Sequence, residues 1–201
     1  MRTMNERKQR RVMILFISLL ILLAAGMVFF LFRFLWGGEE DNRLWWRLET
    51  PFVYDETAKK AVMDAQAEDL CCMFWKKNRN VIVENPEFSR KESMDVYGAA
   101  GNTAALFSRA NVLWPGEEGH CLLSADAARK LFGSTDVVGK HVRIGENDYE
   151  VAGIQHNRKN LCVYELSPKE GQKVNFAACW YQNKNEKYMV KKRVMTLFSF
   201  S

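Results

Sequence analysis

Proline is scarce in this sequence and cysteine is not abundant, and each of these facts excludes a class of protein. Four prolines among 201 residues, together with 12% aromatic residues, exclude collagen, low-complexity chains and intrinsic disorder. Five cysteines are too few for a scaffold held together mainly by disulfides. A chain of this length with 48% hydrophobic residues instead has enough apolar side chains for one folded domain and an appended segment.

Most of the chain also lacks an excess of one charge. The formal net charge is +5, but residues 1–11 carry five lysines and arginines against Glu6, a net charge of +4. Everything from Val12 onward is therefore nearly neutral, at +1. This distribution argues against a nucleic-acid partner, because nucleic-acid-binding domains concentrate positive charge on a folded surface.

A long apolar run follows the basic residues. Val12 to Phe32 is a run of twenty-one residues without a charge, and a helix of that length rises about 30 Å, enough to cross the hydrocarbon core of a bilayer. Arg33 and the aromatic residues up to Trp36 have the chemistry of a membrane interface. We predict a transmembrane anchor over residues 12–36, with a cleaved signal peptide and a buried core helix as the alternatives.

The charge around this run predicts its orientation. Residues 1–11 form a basic tail, which the positive-inside rule places in the cytoplasm. The remainder is then the extracytoplasmic part of a single-pass protein of the cell membrane. We predict a juxtamembrane linker over residues 37–54 and a folded domain over residues 55–201, which is long enough to bury a core.

Residue patterns within 55–201 predict an α+β fold, because strands and helices follow one another without the regular rhythm of parallel βαβ units. The predicted helices cover residues 55–76 and 127–132, the second capped by Ser124 and ended by Gly133. The predicted strands are residues 80–84, 93–98 and 121–123, a hairpin of 141–144 with 149–154, and a second hairpin of 161–164 with 174–180.

A composite, ordered motif occupies residues 123–154. It reads Ala128-Arg129-Lys130-Leu131-Phe132-Gly133, then Asp136-Val137-Val138-Gly139-Lys140, then a strand, then Tyr149-Glu150-Val151-Ala152-Gly153-Ile154. In this order the stretch resembles the extracytoplasmic (periplasmic) core domain of MacB-type, MacB/FtsX-like ABC-transporter permeases. The resemblance extends loosely over most of the chain, as such a domain preceded by one N-terminal transmembrane helix.

The resemblance implies a fold and a place in a transport complex, and it implies no catalytic reaction. The residues that carry it end a helix, turn into a strand or pack the helix on the sheet: Leu131, Phe132, Gly133, Gly139, Lys140, Tyr149, Val151 and Gly153. Permeases of this family continue into further membrane helices, whereas this sequence has no second apolar run of spanning length. The resemblance therefore implies the domain and its anchor, with permease and ATPase subunits as partners, without the translocation machinery.

Patterns typical of enzymes, cofactor sites and metal sites are missing. The sequence has no Walker A motif, and no nucleophile–base or paired-carboxylate arrangement stands out. The three histidines, His120, His141 and His156, lack the spacing of zinc ligands. We therefore predict a protein that is not an enzyme and has no catalytic residue, no cofactor and no metal.

The cysteines allow one disulfide to be predicted. If the second predicted hairpin is symmetric about Glu170 and Gly171, Cys162 faces Cys179, and facing residues have Cβ atoms about 4.5–5.5 Å apart, near the distance that a disulfide needs. On the oxidised side of a membrane these two residues would form a bridge; the alternative is two small buried residues in a sheet. The adjacent pair of cysteines at 71 and 72 is expected to fill core space.

Basic residues gather near the end of the chain, with two tyrosines among them: Lys184, Lys187, Lys191, Lys192 and Arg193 with Tyr181 and Tyr188. A solvated face and contact with anionic lipid headgroups are both consistent with this composition.

The sequence thus favours a non-enzymatic, single-pass component that acts by protein–protein contact in an ABC-type transport complex. One alternative is a membrane-tethered module that binds a peptide, a lipid or a wall component, and such a module should have a concave apolar pocket. The other is a truncated permease without independent activity.

Overall fold

A computed structural model describes residues 42–107, 110–156 and 158–198, together with Met27. The chain divides into two compact units, Met1–Asp41 and Asn42–Ser201. The predicted tail, the predicted anchor apart from Met27, and the first part of the predicted linker lie outside the described residues. Among the described residues, no helix is long and apolar enough to cross a membrane.

The described part of the second unit contains eight strands and three α-helices. The strands are β1 (Arg43–Val53), β2 (Cys72–Asn85), β3 (Arg90–Gly101), β4 (His120–Ser124), β5 (His141–Ile144), β6 (Asn147–Gln155), β7 (Leu161–Glu165) and β8 (Lys173–Trp180). The helices are α1 (Glu56–Ala67), α2 (Ala125–Phe132) and α3 (Lys187–Leu197). This mixture agrees with the predicted α+β class.

These eight strands form one sheet whose larger part closes on itself. The strand order is β1-β8-β2-β3-β7-β4-β6-β5, and β5 also pairs with β2. Strands β2, β3, β7, β4, β6 and β5 therefore form a closed ring, which we call the barrel. Strands β8 and β1 extend from it as a two-stranded wing. The β3–β7 and β4–β6 pairs are parallel, and the other pairs are antiparallel.

Strand β2 joins the wing to the barrel because its two halves pair with different strands. Cys72 to Trp75 pair with β8, while Val83 and Glu84 pair with β5. Between the halves, the register with β3 shifts from Asn78 to Val81. Such an irregularity bends a strand and increases its twist, so the two ends of β2 can face different neighbours.

Alternate residues of the strands fill two hydrophobic clusters, as the period of two in a strand requires. The larger cluster contains Phe74, Leu123 and residues from all three helices. The smaller cluster contains Met73, Trp75 and Leu122, and it packs against the segment that follows β3, including Phe107. The sheet is therefore buried on both faces over much of its area.

Helix α2 has the two capping residues that the sequence predicts, Ser124 and Gly133, and begins at Ala125, two residues before the predicted range. The Ser124 hydroxyl oxygen accepts hydrogen bonds from the Ala127 N–H at 3.2 Å and from the Leu161 N–H at 3.1 Å. Gly133 ends the helix with a φ of 79°, a left-handed conformation that glycine adopts without steric cost. The hydroxyl of Ser124 thus links α2 to strand β7 as well as capping the helix.

Two predicted boundaries are wrong. The helix predicted over residues 55–76 ends at Ala67, because Asp69 takes a positive φ of 58° and the chain enters β2 at Cys72. The linker predicted over residues 37–54 contains strand β1, whose alternate residues pack against the larger cluster. Residues 43–53 therefore belong to the folded unit.

The second predicted hairpin is also wrong, whereas the first, β5 with β6, is confirmed. Strand β7 pairs with β3 and β4, and β8 pairs with β1 and β2. The strands of Cys162 and Cys179 consequently have β2 and β3 between them, and three spacings of roughly 4.8 Å place those strands about 14 Å apart. The register separates the two cysteines further along the strands, because Cys162 is level with Asn78 whereas Cys179 is opposite Cys72. This separation is too large for a disulfide, and both are free thiols.

Replacing the buried hydroxyl of Ser124 should destabilise the fold. Ser124→Ala leaves the Ala127 and Leu161 N–H groups without their acceptor, so we expect the free energy of unfolding to fall by about 1–3 kcal/mol. The midpoint of denaturant unfolding of the detergent-solubilised chain measures this loss. Ser134→Ala is the control, because the Ser134 hydroxyl accepts its hydrogen bond on the exposed surface. Equal losses in the two variants would contradict the role given to Ser124.

Candidate interaction surface

Helix α3 lies on the wing and contacts β8 and α1. Its buried face is apolar: Val194 is fully buried, and the following Phe198 is nearly so. The ring of Phe198 lies 4.2 Å from that of Phe74, centroid to centroid, and it stacks on Phe52 of β1. These contacts hold α3 against the sheet along one side only.

The opposite side of α3 exposes large apolar side chains. Tyr188 is 85% exposed and Met189 is 69% exposed. Tyr188, Lys191, Lys192, Met195 and Thr196 line an open groove of about 520 Å³, and we call these five residues with Met189 the α3 surface. Exposed apolar patches edged by polar groups are typical of interaction sites, so this surface is the strongest candidate for contact with another molecule.

The basic residues near the C-terminus do not form one continuous patch. Lys191 places its ammonium group 5.4 Å from the centre of the Trp46 ring, and Arg193 forms an ion pair with Glu68. Tyr181 is buried, and the side chain of Lys184 lies outside the described structure. The α3 surface therefore combines Tyr188 with two lysines, and the larger predicted cluster is divided among separate contacts.

An apolar cleft lies between β1 and α3. Its volume is about 240 Å³, and the pairing of β1 with β8 shifts register beside it, between Arg47 and Phe52. The lining residues are Trp46, Leu48, Glu49, Thr50, Phe52, Phe74, Val194, Met195 and Phe198. The indole nitrogen of Trp46 is buried, with no acceptor within hydrogen-bonding distance among the described residues. This cleft is the kind of concave apolar pocket that a binding module requires.

The residues of the family motif lie in or against the barrel, away from the α3 surface. Leu131 and Val151 are fully buried, and Phe132 packs against the larger cluster. The ring of Tyr149 lies 5.0 Å from that of Tyr164. These contacts are packing contacts, which explains why these residue types stabilise the fold. None of these contacts indicates a catalytic role.

Three further motif residues shape turns and close approaches. The Gly139 N–H donates to the Val151 carbonyl at 2.9 Å, and Lys140 pairs with Glu87 at 3.7 Å. At Gly153 a Cβ atom would lie 2.7 Å from the Cβ of Asn111, so glycine lets the segment after β3 lie directly on β6. The side-chain amide of Asn111 stabilises that contact by donating a hydrogen bond to the Ile154 carbonyl at 2.7 Å.

A buried carboxyl group, which the sequence pattern did not indicate, lies at the end of β7. Glu165 is 2% exposed; one of its oxygens accepts a hydrogen bond from the Gly116 N–H at 3.4 Å, and the other has no donor among the described residues. Burial raises the pKa of Glu165 well above its ordinary value. The negative charges of Glu118 and Glu117 raise this pKa further, whereas the positive charge of Lys59 lowers it. The protonated form is therefore favoured in the folded state.

The described histidines and acidic groups offer no metal centre. Within residues 42–107, 110–156 and 158–198, no three histidine, cysteine or acidic side chains are placed to hold a metal ion together. His141 and His156 are exposed, and His120 is half-buried. Acidic groups of the described residues form local ion pairs instead, such as Glu118 with Lys59 at 2.7 Å.

No family model and no curated protein sequence matches the chain. Two solved structures are similar to it in fold. One is the periplasmic region of MacB from Actinobacillus actinomycetemcomitans, with 11% identity, a TM-score of 0.50, and coverage of 69% of this chain and 72% of that one. The other is the extracellular domain of the noncanonic ABC-type transporter YknZ from Gram-positive bacteria, with 12% identity, a TM-score of 0.50, and coverage of 74% and 86%. The predicted resemblance to MacB-type extracytoplasmic domains is confirmed at the level of the fold.

Shortening a side chain to alanine should affect stability differently on the two sides of α3. Val194→Ala removes two methyl groups from the core, so we expect a loss of about 1.6 kcal/mol in the free energy of unfolding, at roughly 0.8 kcal/mol per buried carbon. Tyr188→Ala should change the stability by less than about 0.5 kcal/mol, because that side chain is exposed. Denaturant titration of the full chain measures both, and a large loss at position 188 would show that Tyr188 is not available to a partner.

The buried carboxyl of Glu165 should make stability depend on pH. Because the pKa of Glu165 is raised in the folded state, the unfolded chain ionises first, and the wild type loses stability as pH rises above the ordinary glutamate value near 4.5. We expect Glu165→Gln to melt at a higher temperature than the wild type at pH 7, and the difference to vanish near pH 4.

Glu118 provides a control of opposite sign. The hydrogen bond from Lys59 holds the pKa of Glu118 below its ordinary value, so its ionised form stabilises the fold above that value and the stabilisation is lost as pH falls. Glu118→Gln should therefore melt at a lower temperature than the wild type at pH 7. Melting curves of both variants between pH 4 and about 8 check the two predictions. A change of the same sign in both melting temperatures at pH 7 would refute the opposite pKa shifts given to Glu165 and Glu118.

Proposed function

We propose that this chain is a non-enzymatic, single-pass membrane component of an ABC-type transport complex and that it acts through protein–protein contact. The fold shared with the periplasmic region of MacB and the extracellular domain of YknZ is the observation that carries the proposal. In it, residues 1–11 form a cytoplasmic tail and residues 12–36 a membrane anchor. Residues 42–201 form the extracytoplasmic domain, whose partners are the permease and ATPase subunits of the complex.

The α3 surface is the proposed contact. Tyrosine and methionine are enriched at the centres of protein interfaces, and both are exposed here on a helix whose other side is packed on the wing. Val194 and Phe198 couple α3 to β1 and β2 through the larger cluster. A partner that moves α3 would therefore move the wing, so motion driven by ATP hydrolysis in another subunit could reach this domain by contact alone.

The apolar cleft supports a second candidate, an extracytoplasmic module that binds a lipid. An acyl chain fits an apolar lining, and an ester carbonyl is an acceptor that the indole N–H of Trp46 could use. Lys191, which lies over the Trp46 ring, and Lys192 in the adjoining groove are cations suited to a phosphate group. This candidate needs no permease or ATPase partner.

Affinity purification of the full chain from its own host separates the two candidates. The first predicts that a multi-span permease and an ABC ATPase copurify in detergent. The double variant Tyr188→Ser and Met189→Ser should lower their recovery about tenfold, equivalent to about 1.4 kcal/mol of binding. Val138→Ser, which changes an apolar residue that is also exposed but lies in the turn before β5, should leave recovery unchanged.

The opposite result is equally specific. Recovery of the chain without permease or ATPase would contradict the transport-complex proposal. Extraction of a stoichiometric phospholipid from that same sample, lost on Trp46→Ala but retained on Trp45→Ala, would support the lipid-binding candidate.

A further inference from the structure

Two cysteines that the sequence did not pair face each other in the sheet. Cys72 of β2 is directly opposite Cys179 of β8. Both are buried in the larger cluster, and both are free thiols in the structure. Because they are partners in the antiparallel register, their side chains leave the same face of the sheet.

The hydrogen bonds around this pair define its geometry. The Trp180 N–H donates to the Cys71 carbonyl at 3.0 Å, which makes residues 71 and 180 a hydrogen-bonded pair. Since the two kinds of pair alternate along an antiparallel ladder, Cys72 and Cys179 form a non-hydrogen-bonded pair. In agreement with this, the Cys72 carbonyl is turned away from β8 and accepts from the Asn102 N–H at 3.0 Å.

A non-hydrogen-bonded pair brings the two strands close together. Its Cα atoms are about 4.5 Å apart, which lies within the roughly 4.4–6.8 Å range of disulfides. We propose that Cys72 and Cys179 form a cross-strand disulfide that joins the wing to the barrel. Oxidation proceeds by thiol–disulfide exchange with a donor disulfide such as oxidised glutathione or a disulfide-carrying oxidoreductase. The two cysteine thiols lose their protons and two electrons to form one S–S bond, and the donor leaves as two thiols.

The other close pair of cysteines has a different geometry. Cys121 is opposite Tyr164, and Cys162 is opposite Leu123, so the two cysteines are diagonal neighbours on one face. Diagonal Cα atoms are about 7–8 Å apart, beyond the range of an unstrained bridge. Both thiols are buried and free, and the neighbouring Cys162 thiol together with burial raises the pKa of Cys121.

The proposed bridge has a mechanical consequence. Of the described barrel strands, β2 is the one that pairs with β8, and it does so over Cys72 to Trp75. A covalent link at this junction would keep the wing, and the α3 surface that lies on it, in register with the barrel. Burial raises the pKa of Cys72 and of Cys179 to about 12, so the folded thiols stay protonated and exchange slowly. The bridge would therefore form while the domain folds.

Peptide mapping without reduction tests the bridge in the full chain. Purified protein is reduced, unfolded, and refolded in a buffer of oxidised and reduced glutathione. Remaining thiols are then blocked, and the protein is digested with trypsin. We expect residues 61–76 linked to residues 174–184, with the blocking group on Cys121 and Cys162. The variant Cys71→Ala should keep this link, and Cys72→Ala should abolish it.

Two results would overturn the inference: an unlinked Cys179 after refolding, or a link between Cys121 and Cys162. A parallel map of protein whose thiols are blocked as it is isolated from the host tests location separately, because the oxidised state in the cell depends on the extracytoplasmic placement proposed above. A bridge present on isolation supports that placement. A bridge that forms only on refolding supports the pairing and counts against the placement.

Discussion

The pairing of β2 with two different strands is the constraint on which the rest of the structure depends. One half of β2 forms a ladder with β8 and the other with β5, and the register shift between Asn78 and Val81 makes both ladders compatible. Pairing with β5 closes the barrel, which removes two exposed sheet edges. Pairing with β8 attaches the wing, and the wing in turn supports α3. A straight, regular β2 would have to give up one of these two connections.

This division of β2 separates the parts that define the fold from the parts that face other molecules. The residues of the family motif, among them Leu131, Tyr149 and Gly153, build the barrel through packing and close backbone approach. The exposed apolar residues of α3 and the cleft beside Trp46 belong to the wing. The motif therefore predicts the fold but not the contact that the α3 surface makes with a partner. This agrees with the general rule that function resides in sites placed on a scaffold.

The sequence predicted the parts of the structure that depend on residues close together in the chain. The caps of α2 at Ser124 and Gly133 and the hairpin of β5 with β6 involve residues a few positions apart, and all were predicted. The pairing of β7 with β3 joins distant segments in parallel, so a local reading mistook β7 and β8 for a hairpin. Strand β1 was missed because its alternation follows directly after a polar, glycine-led segment. The opposition of Cys72 and Cys179 depends on long-range register, which no local pattern encodes.

Site-specific cross-linking from α3 tests whether the α3 surface contacts a permease. A photo-reactive phenylalanine analogue placed at position 188 of the full chain in living cells would report what lies against the α3 surface, and the same analogue at position 138 is the control. We expect a covalent adduct with a multi-span permease from position 188 and none from position 138. Adducts with lipid alone from position 188, or permease adducts of equal yield from both positions, would contradict it.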